Sequence, residues 1–204
     1  NEGPYSPKFN PEKWGVDWKT VNLPHDWVVD LPYAKEASHS HGYKAVGYKF
    51  PENSVGWYRK TITVPQEDLG KHLYLQFDGI FRDARIWING FYLGHEPSGY
   101  ATQVYDITEY LNYGEENLIC VRADATLEEG WFYEGAGIYR HVWLNKTAPL
   151  HVAPFGTFVH STLAAPFDKA KLTIETTVEN PGLQTEDYRL CHILRDADGK
   201  EVAR

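Results

Sequence analysis

Residues 130–144, GWFYEGAGIYRHVWL, hold the groups in this chain best suited to chemistry on a flat, partly apolar ligand. Trp131, Phe132 and Tyr133 set three aromatic rings in a row, and the stretch lies beside the acidic Glu128 and Glu134. Gly135 and Gly137 supply backbone freedom where a side chain would block close approach. Ile138, Arg140, Val142 and Leu144 then alternate with Tyr139, His141 and Trp143, the period of a half-buried strand. A pyranose ring is one flat face that such aromatics stack on. Core or hairpin packing would use the same residues, so the pattern alone leaves both readings open.

Other residue types that could act on a bond carry weaker signals. Hydrolysis of a glycoside needs at least two carboxylates flanking the bond. Asp83, Glu96, Glu128, Glu129 and Glu134 are available, yet spacing singles out no pair, and most are expected to be solvated surface charges. Ser38-His39-Ser40-His41 offers two imidazoles at i, i+2; without further ligands at metal spacing it is expected to be an exposed loop. Asp196-Ala197-Asp198-Gly199 starts like a calcium loop but lacks the closing Glu, so a hairpin turn is expected. Asn145-Lys146-Thr147 fits a glycosylation acceptor, a triplet common by chance. The sequence holds no Gly-rich phosphate loop, nucleophile elbow or Cys-based metal site, so no metal and no cofactor are expected in this piece.

The elements that must position these residues follow from composition and rhythm. The chain has 204 residues, room for one domain and part or all of a second. Its net charge is −8 with no Lys/Arg cluster, which disfavours nucleic acid as a partner. No apolar run reaches the length of a membrane span. The chain contains no Met, even at position 1, and is expected to be a processed chain or a cut piece. Cys120 and Cys191 fall in separate strand-like segments and are expected to be buried free thiols. Cysteine usage does not fix the compartment; a periplasmic or extracellular setting is favoured over the cytoplasm.

Leu73, Leu75 and Phe77 share one face, as do Ala84, Ile86 and Ile88 before the Asn89-Gly90 hairpin signal, and Ile119, Val121 and Ala123. The rhythm predicts an all-β sandwich. One single-turn helix is expected near Ile107–Leu111, with Thr108 as its cap. Pro4, Pro7, Pro11, Pro24, Pro32 and Pro51 mark residues 1–56 as an extended segment wrapping the sandwich. A boundary is placed at 148/149. Strands are predicted beyond it at 151–160, 172–178 and 188–194, too few for a complete second sandwich.

Read in order, the chain then resembles a known family. Its segments are Val21-Asn22-Leu23-Pro24-His25-Asp26-Trp27, Gly56-Trp57-Tyr58-Arg59-Lys60, Phe77-Asp78-Gly79-Ile80 and Ala84-Arg85-Ile86-Trp87-Ile88-Asn89-Gly90. Further on come Leu93-Gly94-His95, Ser98-Gly99-Tyr100, Tyr105-Asp106-Ile107-Thr108, Asn117-Leu118-Ile119-Cys120-Val121 and Gly135-Ala136-Gly137-Ile138-Tyr139-Arg140. Together they resemble the N-terminal sugar-binding domain of glycoside hydrolase family 2, the β-galactosidase, β-glucuronidase and β-mannosidase group.

The resemblance implies a jelly-roll-like β sandwich over residues 1–148 and an incomplete immunoglobulin-like sandwich over 149–204. It implies an absent (β/α)₈ barrel that carries both catalytic Glu residues. The chain would then be a non-catalytic part of a retaining exo-β-glycosidase, with a β-galactosidase as the best single guess and a β-galactoside as carbohydrate partner. It leaves a divalent cation in the parent and homo-oligomer contacts open. Its motif residues are His25, Asp26, Trp27, Trp57 and Arg140. Its sugar-site rim would be Trp131, Tyr133, Glu134 and Glu128, with Trp131 standing where enteric-type relatives place an Asp that reaches the sugar. The alternative is a stand-alone carbohydrate-binding module or lectin; a domain that only braces a barrel is a third.

Overall fold

A computed structural model of the chain describes residues 3–10, 12–15, 17–130, 134–182 and 185–204. The fold is all-β, built from antiparallel sheets, and the chain divides into two units, Asn1–Ala148 and Pro149–Arg204. The strands of the first unit are β1 (Val55–Thr63), β2 (His72–Phe77), β3 (Ala84–Ile88), β4 (Phe91–Glu96), β5 (Gln103–Asp106), β6 (Glu116–Asp124) and β7 (Val142–Thr147). They form a four-stranded sheet in the order β1-β6-β3-β4 and a three-stranded sheet in the order β5-β2-β7.

The period-2 pattern dictates how the sheets face. Leu73, Leu75 and Phe77 of β2 pack with Ala84, Ile86 and Ile88 of β3 and Ile119, Val121 and Ala123 of β6 in one buried cluster. Each large side chain so buried contributes roughly 1.5–3 kcal/mol. Asn89 and Gly90 join β3 to β4 with φ of 50° and 87°, the pair of positive angles that a two-residue hairpin turn needs.

Residues 4–9, near the start of the N-terminal segment, cover the outer face of the four-stranded sheet. Trp57 and Trp87 stack at 5.4 Å between centroids, and Tyr5 stacks on Trp87 at 5.3 Å. Arg59 donates to the Ser6 carbonyl at 3.1 Å and also to that of Pro4. Cys120 lies beneath this cover, fully buried, and burial pushes its thiol up to about 11.

Several local expectations need correction. Thr108 does not cap the turn Thr108–Tyr110: Ile107 holds the cap position, and the Thr108 hydroxyl instead accepts from the Leu73 amide and donates to Asp106. The last strand of the first unit begins at Val142, not Ile138. Before it the chain bonds to two separate partners, Phe81 with Gly137 and His25 with Ile138, so no ladder forms. Cys191 is a free thiol as expected, but exposed.

In the second unit β8 (His151–Ala164) pairs with β9 (Lys169–Glu179), and β10 (Leu194–Arg195) with β11 (Glu201–Ala203). The strand expected at 188–194 is reduced to the two residues of β10. Alternation supplies a face, but only a hydrogen-bonded neighbour makes a strand. Asp196 does form a hairpin turn, its Oδ1 accepting from the amides of Asp198 and Lys200 at 3.1 and 2.9 Å. Among the described residues no helix is long and apolar enough to cross a membrane.

Candidate functional site

At one end of the sandwich, residues 25–27 run against residues 136–138. The His25 amide donates to the Ile138 carbonyl at 2.8 Å and the Trp27 amide to that of Ala136 at 3.1 Å. Asp26 Oδ1 accepts from the amides of Val28 and Ala136 at 2.9 and 3.0 Å, fastening both segments. That approach requires glycine. A β-carbon at position 135 would stand 2.5 Å from Asp26 Cγ, and closer still to Oδ2. Trp27 packs over Gly56 and donates from its indole to the Asn53 carbonyl at 2.8 Å.

His25 Nδ1 lies 2.8 Å from the Tyr58 hydroxyl. Burial drives the Tyr58 phenol well above its usual range; the Ile138 backbone hydrogen bond opposes this and the nearby Asp26 charge adds to it. Tyr58 therefore stays a neutral donor at any physiological pH. His25, Asp26 and Trp27 thus act as the fastening of this end.

The loop that follows is braced from within. Glu134 is only 3% exposed, and its carboxylate accepts from the Glu129 amide at 3.0 Å and the Gly130 amide at 2.6 Å. Its own amide donates to the Ser40 carbonyl at 2.7 Å, and its carbonyl lies 3.0 Å from His41 Nδ1. Arg82 pairs with Glu129 at 3.0 Å. Ser40 and His41 are therefore buried, against the expectation of an exposed loop, because they clamp Glu134. Nothing local signals this, since the partners lie 93 residues apart.

Trp131 and Tyr133 lie outside the described residues. Glu128 is exposed and accepts from the Ser38 hydroxyl. It borders a cleft of about 400 Å³ lined also by His41, Tyr48 and Lys49. His41 Nε2 is buried there with no partner among the described residues. Arg140 is exposed and reaches the Asp78 carbonyl at 3.4 Å, while Trp57 sits on the outer sheet face with Tyr5.

Among the described residues no group of three or more His, Cys, Asp or Glu could hold a metal ion. No two acidic side chains of this loop share a target: Glu134 is enclosed, Glu129 pairs with Arg82 and Glu128 bonds Ser38. Glu134→Ala is expected to cost about 1 to 3 kcal/mol by orphaning two amides. Hydrogen exchange should speed up at the amides of Glu129 and Gly130, while β2 and β6 keep their protection.

Residues 7–148 match the profile of glycosyl hydrolases family 2, sugar binding domain. The chain belongs to that family. A β-galactosidase of Bacteroides ovatus is 40% identical over 188 residues, covering 92% of this chain and 21% of the relative. A putative β-glucuronidase of Formosa agariphila is 37% identical over 156 residues, covering 76% of this chain and 14% of the relative. Among solved structures, a β-glycosidase of Bacteroides vulgatus superposes with a TM-score of 0.76 at 31% identity, covering 90% of this chain and 23% of that one. This member of family 2 therefore spans about a fifth or less of the relatives it matches.

Proposed function

We propose that this chain is the non-catalytic N-terminal portion of a retaining exo-β-glycosidase that hydrolyses terminal β-galactosides. Residues 1–148 serve as its sugar-binding-like domain and residues 149–204 as part of an immunoglobulin-like one. A (β/α)₈ barrel elsewhere in the protein supplies the acid and the nucleophile, which a retaining mechanism holds about 5 to 5.5 Å apart. The braced loop 128–134 carries the reading. The Glu134 carboxylate is spent on the amides of Glu129 and Gly130, Glu129 on Arg82 and Glu128 on Ser38, so the loop's part is to present Trp131 and Tyr133 at the sugar rim, with Glu128 at the border and Glu134 as the internal anchor.

β-Galactoside is preferred to β-glucuronide because Trp131 offers a neutral stacking face and Glu128, the exposed carboxylate that borders the cleft, would meet a uronate as like charge. Assays with nitrophenyl glycosides test both halves. This chain alone should release no nitrophenol, and saturable turnover by it would refute a non-catalytic role. The intact protein should favour the β-galactoside by about tenfold or more in kcat/KM. Preference for the β-glucuronide would overturn the substrate assignment.

A further inference from the structure

The outer face of the three-stranded sheet carries a side-chain cluster that the loop end does not use. Gln76 of β2 stands directly opposite Trp143 of β7, and Tyr74 opposite Asn145. The Trp143 indole donates to Asp78 Oδ2 at 2.8 Å, and Gln76 Nε2 donates to Asp78 Oδ1 at 2.7 Å. Asn145 Nδ2 donates to Gln76 Oε1 at 3.0 Å, which completes the chain Asn145–Gln76–Asp78–Trp143. His141 stacks on Trp143 with centroids 5.3 Å apart and planes 30° from parallel. The indole nevertheless stays 48% exposed.

An exposed Trp fixed by its N–H, beside two amides and a carboxylate, is an unusual use of a surface. A hydrogen-bonded chain of four side chains restricts rotamers that a surface would otherwise leave free. Amide groups have valence to spare after these contacts. They suit hydroxyls, which both donate and accept. A protein partner would call for an apolar patch centre, whereas this face offers a stacked Trp143–His141 pair among polar groups.

Charge narrows the ligand further. The Gln76 and Trp143 hydrogen bonds hold the Asp78 carboxyl below the usual carboxylate range, so it is charged at neutral pH. A carboxylate inside the cluster welcomes neutral hydroxyls and repels a uronate.

We propose that Trp143, with Gln76, Asp78 and Asn145, forms a second carbohydrate site, for a neutral oligosaccharide that stacks on the indole. It stands on its own observations and does not rest on the loop 128–134. Preordering matters here, because a ligand that meets side chains already fixed loses less affinity to ordering them.

The test is calorimetric titration of the 204-residue chain with β-1,4-galactotetraose, β-1,4-glucotetraose and the matching β-1,4-linked tetraglucuronate. At least one neutral tetrasaccharide should bind at about millimolar Kd, and the tetraglucuronate more weakly. Trp143→Ala should weaken binding by about tenfold or more, as loss of a ring stack does. Asn145→Ala, at an exposed position, should weaken it severalfold and covers the case in which Trp143→Ala fails to fold. No binding by either neutral sugar, equal binding of the uronate, or affinity unchanged in both Trp143→Ala and Asn145→Ala would each overturn the second site.

Discussion

Gly137→Ala is expected to lower the stability of the first unit by about 3 to 5 kcal/mol, adding backbone strain to overpacking. A β-carbon there would stand 2.5 Å from the His25 carbonyl oxygen and closer still to the Tyr58 hydroxyl. Neither neighbour can retreat. His25 is held through its own amide to Ile138, and Tyr58 is fixed within β1 and bonded to His25 Nδ1. The residue also has φ of 131°, a backbone state that side chains rarely adopt. Its amide and carbonyl both bond Phe81, at 2.7 and 2.9 Å, so a shift of the backbone would break those bonds too. Gly130→Ala is the control. Its φ of 96° is strained, but among the described residues a β-carbon would meet nothing within 4 Å, so a loss of only about 1 kcal/mol is expected. Urea unfolding of the two variants measures the difference. Equal midpoints would show that the contact at 137 can relax.

How much of this was legible in the sequence depends on the range of the interaction. The alternation at 73–77, 84–88 and 119–123 is a local consequence of strand geometry, so it identified the core faces directly. Asn89-Gly90 is equally local. The glycines at 135 and 137 could be marked as sites of close approach, yet not what approached them; Asp26 and His25 lie more than a hundred residues away. Ser40 and His41 look like any polar loop, because the Glu134 backbone that buries them is set by topology. Glu134 looks like any surface acid for the same reason. Cys120 breaks the alternation of β6 because residues near Pro4 cover the outer face, a contact no window of neighbours can show.

Trp131→Ala in the intact enzyme is expected to lower kcat/KM by about 5- to 150-fold while leaving stability unchanged. A ring stacked on a flat ligand contributes about 1 to 3 kcal/mol, and each 1.36 kcal/mol off the barrier is tenfold in rate. Gly130 and Glu134 are joined through the Glu134 carboxylate, and Ser40 and His41 hold Glu134 by its backbone. Three residues, Trp131, Phe132 and Tyr133, run between those two anchored positions. Glu134→Ala in the same enzyme should therefore lower kcat/KM as well, although residue 134 is itself buried. An unchanged melting temperature with reduced kcat/KM in Trp131→Ala separates a rim residue from a core one. Loss of fold instead would assign Trp131 to packing, and a kcat/KM within twofold of the parent would remove it from the sugar site altogether.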